Sequence, residues 1–273
     1  MNDARSVPPA GEAGTPSGVL SSALLPLGST AILILLWHLV VVVFEIPRYI
    51  LPRPSEVFSS MLDHRGDLMR EAYATARVAA LGLLLSVAAG IPTGLAIARY
   101  GPLRRLLMPP IVAIQSIPKV ALAPMFVAWL GFGMAPKLIT TVLVTFFPLT
   151  LAAIVGIESV TRSTSYLARS IGCRGISLVR YIWLPTAAPY IAAAFMTSAT
   201  LAVVGTLVAE FIGSVDGLGN LLLIASGNRD TTLAFAAIIT VAMVGILFYA
   251  SAALLVRATT GRLGAQYMGS SPR

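Results

Sequence analysis

The chain has 273 residues, of which 57% are hydrophobic and only 11% charged, with a mean hydropathy of +0.86. A soluble domain carries about 25% charged residues, so this composition excludes an ordinary soluble enzyme and points to an integral membrane protein. The net charge of +8 raises nucleic acid as a partner, but the basic excess falls in short segments between apolar runs, which is a membrane-topology asymmetry and not a nucleic-acid footprint.

The apolar runs are long and lack period-2 alternation, so they read as helices and not as barrel strands. The expected fold is all-α, a polytopic membrane protein with six transmembrane helices. Residues 1–21 are polar and rich in proline and glycine, the composition of a disordered cytoplasmic tail. A first span is expected over 22–44. Its apolar run exceeds the roughly 7–15 residues of a signal peptide and no Ala-x-Ala site follows, which argues for an uncleaved anchor. Residues 45–71 form the largest external segment, opened by Pro47, Pro52 and Pro54. An amphipathic stretch then lies along the membrane surface, with His64 solvated. His38, within the first span, reads as a packing residue. The second span, 73–98, carries Gly90 and Gly94, a small-residue step that permits close helix approach and reads as internal packing in preference to a dimer contact.

The third span, 106–130, is interrupted by Pro109, Pro110, Pro118 and Pro124. Broken helices at membrane depth are tolerated only against protein or a water-filled path. Gln115 and Lys119 lie in this stretch, and an intramembrane lysine is a functional candidate, here for the translocation pathway. The competing reading has Lys119 snorkelling or paired with a carbonyl at a kink. The fourth span covers 137–157, the fifth 186–213 and the sixth 233–256, followed by a basic cytoplasmic tail over 258–273. Glu210, near the outer end of the fifth span, is the other pathway candidate, since intramembrane acids usually face a cavity.

Arginines at 5, 99, 104, 105, 162, 169, 174, 180, 257, 262 and 273 fall in the segments predicted inside, where the acids are only Asp3, Glu12 and Glu158; outside, bases and acids balance, Lys137 and Asp216 among them. The single Cys173 rules out an internal disulfide and a cysteine metal cluster. No P-loop and no His-Glu-x-x-His occurs, so the chain is expected to bind no ATP or metal of its own and not to be an enzyme.

The most informative stretch is 165–189, between the fourth and fifth spans and too charged for the bilayer. Leu167, Ala168 and Ile171 fall at helical spacing, and Leu178 and Ile182 do so again beyond Gly172 and Gly175. This predicts two short amphipathic helices with a glycine hinge, ended by Leu184 and Pro185, on offer as a knob to a partner. Gly172 is followed by nine residues and then Ile182, Trp183, Leu184 and Pro185. That spacing resembles the signature of permease subunits of bacterial ABC importers, which reads Glu-Ala-Ala, three residues, Gly, nine residues, Ile-x-Leu-Pro. Ala168 matches the second alanine, while Tyr166 stands in place of the acid and Leu167 in place of the first alanine. The block from Ser116 to Pro124, SIPKVALAP, is similar to one in the nitrate, sulfonate and taurine branch. Ala209, Glu210 and Phe211, followed by Gly217, Leu218 and Gly219, look like a further family block.

The resemblance implies a five-helix type I ABC importer permease core over 72–257, preceded by an N-terminal helix and external segment over 22–71, with a cytoplasmic coupling loop over 158–185. It implies that Tyr166, Leu167, Ala168, Ile171, Gly172, Ile182, Leu184 and Pro185 form the ATPase-docking loop. It also implies a cytoplasmic ABC ATPase dimer that binds the ATP, a second permease copy in a homodimer, and an extracytoplasmic substrate-binding protein. The setting is the bacterial inner membrane, with both termini cytoplasmic. The solute would be of the sulfonate, nitrate, taurine or pyrimidine-precursor type. The alternative is an ATPase-independent secondary transporter or channel, for which an inverted internal repeat would be expected, and none is found.

Overall fold

The computed structural model describes residues 17–160, 162–170, 172–173 and 175–260. Most of the expected tails over 1–21 and 258–273, and Ile171, lie outside the described residues. Every regular element among the described residues is helical. α1 (Ser17–Val43) begins ahead of the expected start and is apolar through Gly28–Val43. α2 (Pro54–Asp63) opens on a proline, whose fixed φ and missing N–H suit the first helical position. Glu56 accepts a hydrogen bond from the Arg53 N–H at 3.1 Å and so closes the first turn.

α3 (Arg65–Arg99) runs 35 residues without a break. The expected surface stretch up to residue 71 is therefore corrected: from Arg65 onward it is one helix with the second span. No proline interrupts it there, and Leu68, Ala72 and Thr75 recur at helical spacing as buried residues. At about 1.5 Å per residue the helix is about 52 Å long, well beyond the roughly 30 Å hydrocarbon core, so it extends past the thickness that a span needs.

α4 (Gly101–Ser116) contains both Pro109 and Pro110 and continues through them, contrary to expectation. The break comes at Pro118. A residue before proline is driven out of the helical region, and Ile117 is extended with ψ 129°. A 3₁₀ turn over Lys119–Leu122 then enters α5 (Ala123–Leu130), bent by 83° from α4. Pro124 lies in the first turn of α5, where its missing N–H costs nothing.

α6 (Met134–Glu158) absorbs Pro148. α7 (Arg162–Ser170) follows. Beyond a glycine turn, α8 (Ile176–Leu178), a π turn over Val179–Trp183 and α9 (Leu184–Gly213) form one continuous helical span over Ile176–Gly213. The expected second short helix is thus the inner end of the fifth span, and Leu184 and Pro185 do not end it. Pro185 has no N–H to give the carbonyl four residues back, and the wider π turn just before it accommodates that loss. α10 (Leu218–Gly227) and α11 (Thr231–Thr260) complete the chain.

Four of these helices are long and apolar enough to cross a membrane: α3, α6, Ile176–Gly213 and α11, and the bent α4–α5 pair passes as a fifth. The protein is an all-α, multi-pass membrane protein. The apolar stretch of α1 is the remaining counterpart of the six spans expected. Trp37 of α1 meets Phe235 of α11, with ring centroids 5.9 Å apart.

The centre of the bundle is where α3, α6 and α9 meet. A Cβ on Gly94 would fall 2.5 Å from the Thr150 carbonyl oxygen and 2.7 Å from the Ala153 Cβ. One on Gly156 would fall 2.7 Å from the Ala187 Cα. Gly90 likewise faces Phe146 and Thr150, so the Gly90 and Gly94 step is packing of α3 on α6 within the chain. Hydroxyls are sealed into the same seams. Thr141 bonds Thr206 at 2.8 Å and Ser86 bonds Thr145 at 2.6 Å, all four fully buried. Lipid tails are as apolar as leucine, so close backbone approach and such hydrogen bonds hold spans together in place of hydrophobic collapse.

Gly94→Val is expected to lower the thermal unfolding midpoint in nanodiscs by about 5 °C or more, since overpacking against backbone costs about 1–3 kcal/mol. Gly66→Ala in the same helix, where an added Cβ meets nothing within 4 Å, is expected to leave the midpoint unchanged or slightly raised. Equal losses in the two variants would refute the packing account.

Candidate functional site

Three clusters of unusual chemistry lie at three levels along the bundle, inner, middle and outer in the orientation that the sequence predicts. The inner one is the segment that joins α6 to α9. Gly172 has φ +83°, a left-handed conformation that glycine adopts without penalty. The Cys173 N–H donates to the Ala168 carbonyl at 2.9 Å. Those two features are a Schellman closure, which stops α7 and turns the chain. A second left-handed glycine, Gly175 at φ +63°, launches α8. A Cβ on Gly172 would meet nothing within 4 Å, so the glycine is required by the turn and not by crowding inside this chain.

The closure sorts the predicted docking residues. Tyr166 and Leu167 project into solvent at 70% and 66% exposure. Ala168 is turned inward and buried, which corrects its expected place on the knob. Ile182 and Pro185 are half-buried, and Leu184 is exposed. Ile171 lies outside the described residues. The structure adds two apolar side chains that the sequence reading did not single out, Ile176 at 84% and Tyr181 at 69% exposure. The segment is tied to its surroundings by Arg99 of α3, whose guanidinium lies 5.4 Å from the Tyr100 ring centroid and 5.9 Å from that of Trp183. Arg104 pairs with Glu158 at 2.6 Å and binds the start of α4 to the end of α6.

The middle cluster is the break between α4 and α5. Gln115 and Lys119 stand on either side of the extended Ile117 and Pro118. The Lys119 ammonium lies 5.5 Å from the Phe147 ring centroid on α6. The Gln115 Nε2 is buried without a hydrogen-bond partner.

The outer cluster surrounds the turn between α9 and α10. Glu210 is 1% exposed. Thr75 of α3 donates its hydroxyl to the carboxylate at 2.9 Å, and the Gly219 N–H donates at 3.0 Å. The Leu218 N–H in turn donates to the Thr75 oxygen at 2.9 Å, and the Gly217 N–H to Glu71 at 2.6 Å. A side chain on Gly217 would occupy the space of the Glu210 carboxyl, and one on Gly219 would fall 2.6 Å from the Glu210 Cβ. The Ala209–Phe211 and Gly217–Gly219 blocks are thus one device: a buried carboxylate that fastens the turn to α3. Glu210 is enclosed by protein and does not line an open path, which corrects its expected role.

Beside it, Lys137 of α6 is 4% exposed and forms an ion pair with Asp216. The hydrogen bond and charge of Lys137 hold the Asp216 carboxyl below its ordinary pKa of 3.8. Sequence reading treated these two as balancing external charges. Nothing local marks them as partners, because they are 79 residues apart.

Residues 90–261 match the family described as binding-protein-dependent transport system inner membrane component. The chain belongs to this family. Over 84% of its length, covering 93% of the relative, the permease is 31% identical to a probable ABC transporter permease protein of Haemophilus influenzae. It is 33% identical to the riboflavin transport system permease protein RibX of Chloroflexus aurantiacus, over 83% of the chain and 85% of the relative. It is 27% identical to the taurine transport system permease protein TauC of Escherichia coli, over 82% of the chain and 84% of the relative. The permease is the membrane subunit of an ATP-driven, binding-protein-dependent ABC importer and not an enzyme. A partner ATPase handles ATP and a substrate-binding protein delivers the solute. The secondary-transporter alternative falls with this assignment.

The outer ion pair gives an asymmetric prediction. Asp216→Ala leaves the buried Lys137 charge uncompensated, whereas Lys137→Met leaves Asp216, whose side chain is 45% exposed, free to be hydrated. Asp216→Ala is expected to destabilise more, by about 2 kcal/mol after allowance for the exposed partner, and the double variant to recover part of the loss. Thermal midpoints in nanodiscs give the order, and a reverse order would refute a buried Lys137. Because the Asp216 pKa is depressed, the contribution of the pair is complete above the ordinary value of 3.8 and is lost as pH falls through the lower folded value. An acid titration of the midpoint is expected to show this step in the wild type and not in Asp216→Asn.

Proposed function

We propose that the permease couples to its ATPase through Tyr166, Leu167 and the Gly172 turn, together with Ile176 and Tyr181. Ile171, outside the described residues, is assigned to the same contact by its helical spacing in the sequence alone, while Ile182, Leu184 and Pro185 set the return to the membrane. The observation that carries the reading is the apolar surface exposed on the loop between α6 and α9, held in shape by two left-handed glycines. No other described residue covers it. Tyr166 in place of the signature's acid makes this contact more apolar and less ionic.

The loop lies on the cytoplasmic side, both termini are cytoplasmic, and the pore is a homodimer. The basic residues on the loop side of the spans support that orientation. The solute is a small molecule of the sulfonate, nitrate, taurine or pyrimidine-precursor type; relatives named for transport of taurine, aliphatic sulfonates and formylaminopyrimidine support that range. Closure of the ATPases on ATP displaces the loop. The loop moves α6 and α9, and the change opens or closes a path past Gln115 and Lys119 at the α4–α5 break.

Tagged wild-type permease purified from its native membranes is expected to bring down an ATPase in stoichiometric amount. Leu167→Arg and Gly172→Arg are expected to lose it. Gly172→Asn is expected to retain it, since asparagine tolerates the left-handed conformation. A wild-type chain that purifies alone, or a Leu167→Arg chain that keeps its ATPase, would overturn the reading.

A further inference from the structure

Among the described residues, two hydrogen-bond donors at the α4–α5 break have no acceptor. Lys119 rests against the Phe147 ring at 5.5 Å. Among the described residues its ammonium makes no ion pair. An aromatic face returns less than a lysine loses on leaving water, so the ring alone does not account for a cation at this depth. Gln115, just before the break, keeps its Nε2 buried and unpartnered. Between them Ser116, Ile117 and Pro118 are exposed and the last two are non-helical. Irregular backbone at membrane depth is tolerated where it lines protein or water, not lipid.

Among the described residues no acid pairs with Lys119. Glu210, the acid buried within the spans, is engaged by Thr75 and Gly219 at 1% exposure. At the break, among the described residues, the unpaired chemistry is the Lys119 ammonium and the Gln115 amide N–H groups, which is complementary to an oxyanion.

We propose that Lys119 and Gln115 form a transit station for the oxyanion group of a small solute, such as a sulfonate, carboxylate or phosphate. This rests on the translocation path proposed above. Lys119 supplies the charge and Gln115 a directional hydrogen bond, while the Phe147 ring holds the ammonium in place when the station is empty. The station binds one charged group through few contacts, so it retards the solute without trapping it, and it disfavours cations.

The test is charge-selective labelling of a cysteine placed beside the station. Ser116→Cys is made in a Cys173→Ser background, purified in nanodiscs so that both faces are accessible, and treated with anionic or cationic methanethiosulfonate. Each rate is divided by that reagent's rate with a free thiol. With Lys119 present the anionic reagent is expected to be favoured by about tenfold. Lys119→Arg is expected to keep the preference and Lys119→Gln to abolish it. Sodium ethanesulfonate is expected to slow labelling when Lys119 and Gln115 are both present, and to have a weaker effect in Gln115→Leu.

If neither reagent reaches the site, the break lies off the aqueous path and the proposal falls. An unchanged charge preference in Lys119→Gln would equally overturn it. Labelling requires no ATPase, so its failure is separate from failure of the docking reading.

Discussion

The structure depends on backbone contact between spans. In lipid the apolar side chains of one helix gain little by leaving hydrocarbon for those of another, so the bundle cannot be held by a leucine core. It is held where side chains are nearly absent. Gly82 and Gly94 of α3 admit Thr141, Thr150 and Ala153 of α6, and Gly156 of α6 admits Ala187 of α9. The hydroxyls that this proximity buries bond to carbonyls one turn back or to each other, as Thr141 does with both Lys137 and Thr206 at 2.8 Å. The resulting three-helix unit has little room to shear without breaking a hydrogen bond or creating a clash.

Two features are fixed to the ends of that unit. At the outer end the Glu210 carboxylate and the Lys137 pair with Asp216 fasten the α9–α10 turn to α3 and α6. At the inner end the docking loop leaves from α6 and returns into α9, the two helices mated at Gly156 and Ala187. A displacement of the loop therefore acts on both helices together, as a lever and not as a pair of sliding rods. The bent α4–α5 pair is different in kind. Its outer half meets the unit through Val127, which sits where a Gly213 side chain would be. Its centre is non-helical at Ile117 and Pro118, so it is the element with freedom to respond.

Features governed by local chemistry were legible in the sequence. The apolar runs located α6 and α11 closely, and Gly172 and Gly175 were recognisable as a hinge because both positions need left-handed backbone. Features that depend on a distant partner were not. Lys137 looks like a loop cation until Asp216 is brought beside it. Glu210 looks like a cavity-facing acid until Thr75 and Gly219 close over it. Prolines misled in one direction, marking breaks where the helix runs on. Pro109 and Pro110 lie within α4 and Pro185 is carried by a π turn, because neighbouring helices and altered turns absorb a missing donor. Pro118 alone stops a helix in that stretch, through the extended Ile117 before it. Likewise Ala168 matches the family signature yet is buried, since the Schellman closure rotates that face of α7 inward.

The lever claim is tested most directly by locking α6 to α9. Thr141→Cys with Thr206→Cys, in a Cys173→Ser background, replaces a hydroxyl pair 2.8 Å apart with a disulfide across the seam. ATP hydrolysis stimulated by the binding protein is then measured in the reconstituted importer before and after reduction. If α6 and α9 move as one body, the oxidised and reduced forms will turn over alike. An oxidised form that is inactive and is restored by reductant would mean that the two helices must part during the cycle, and would contradict the account.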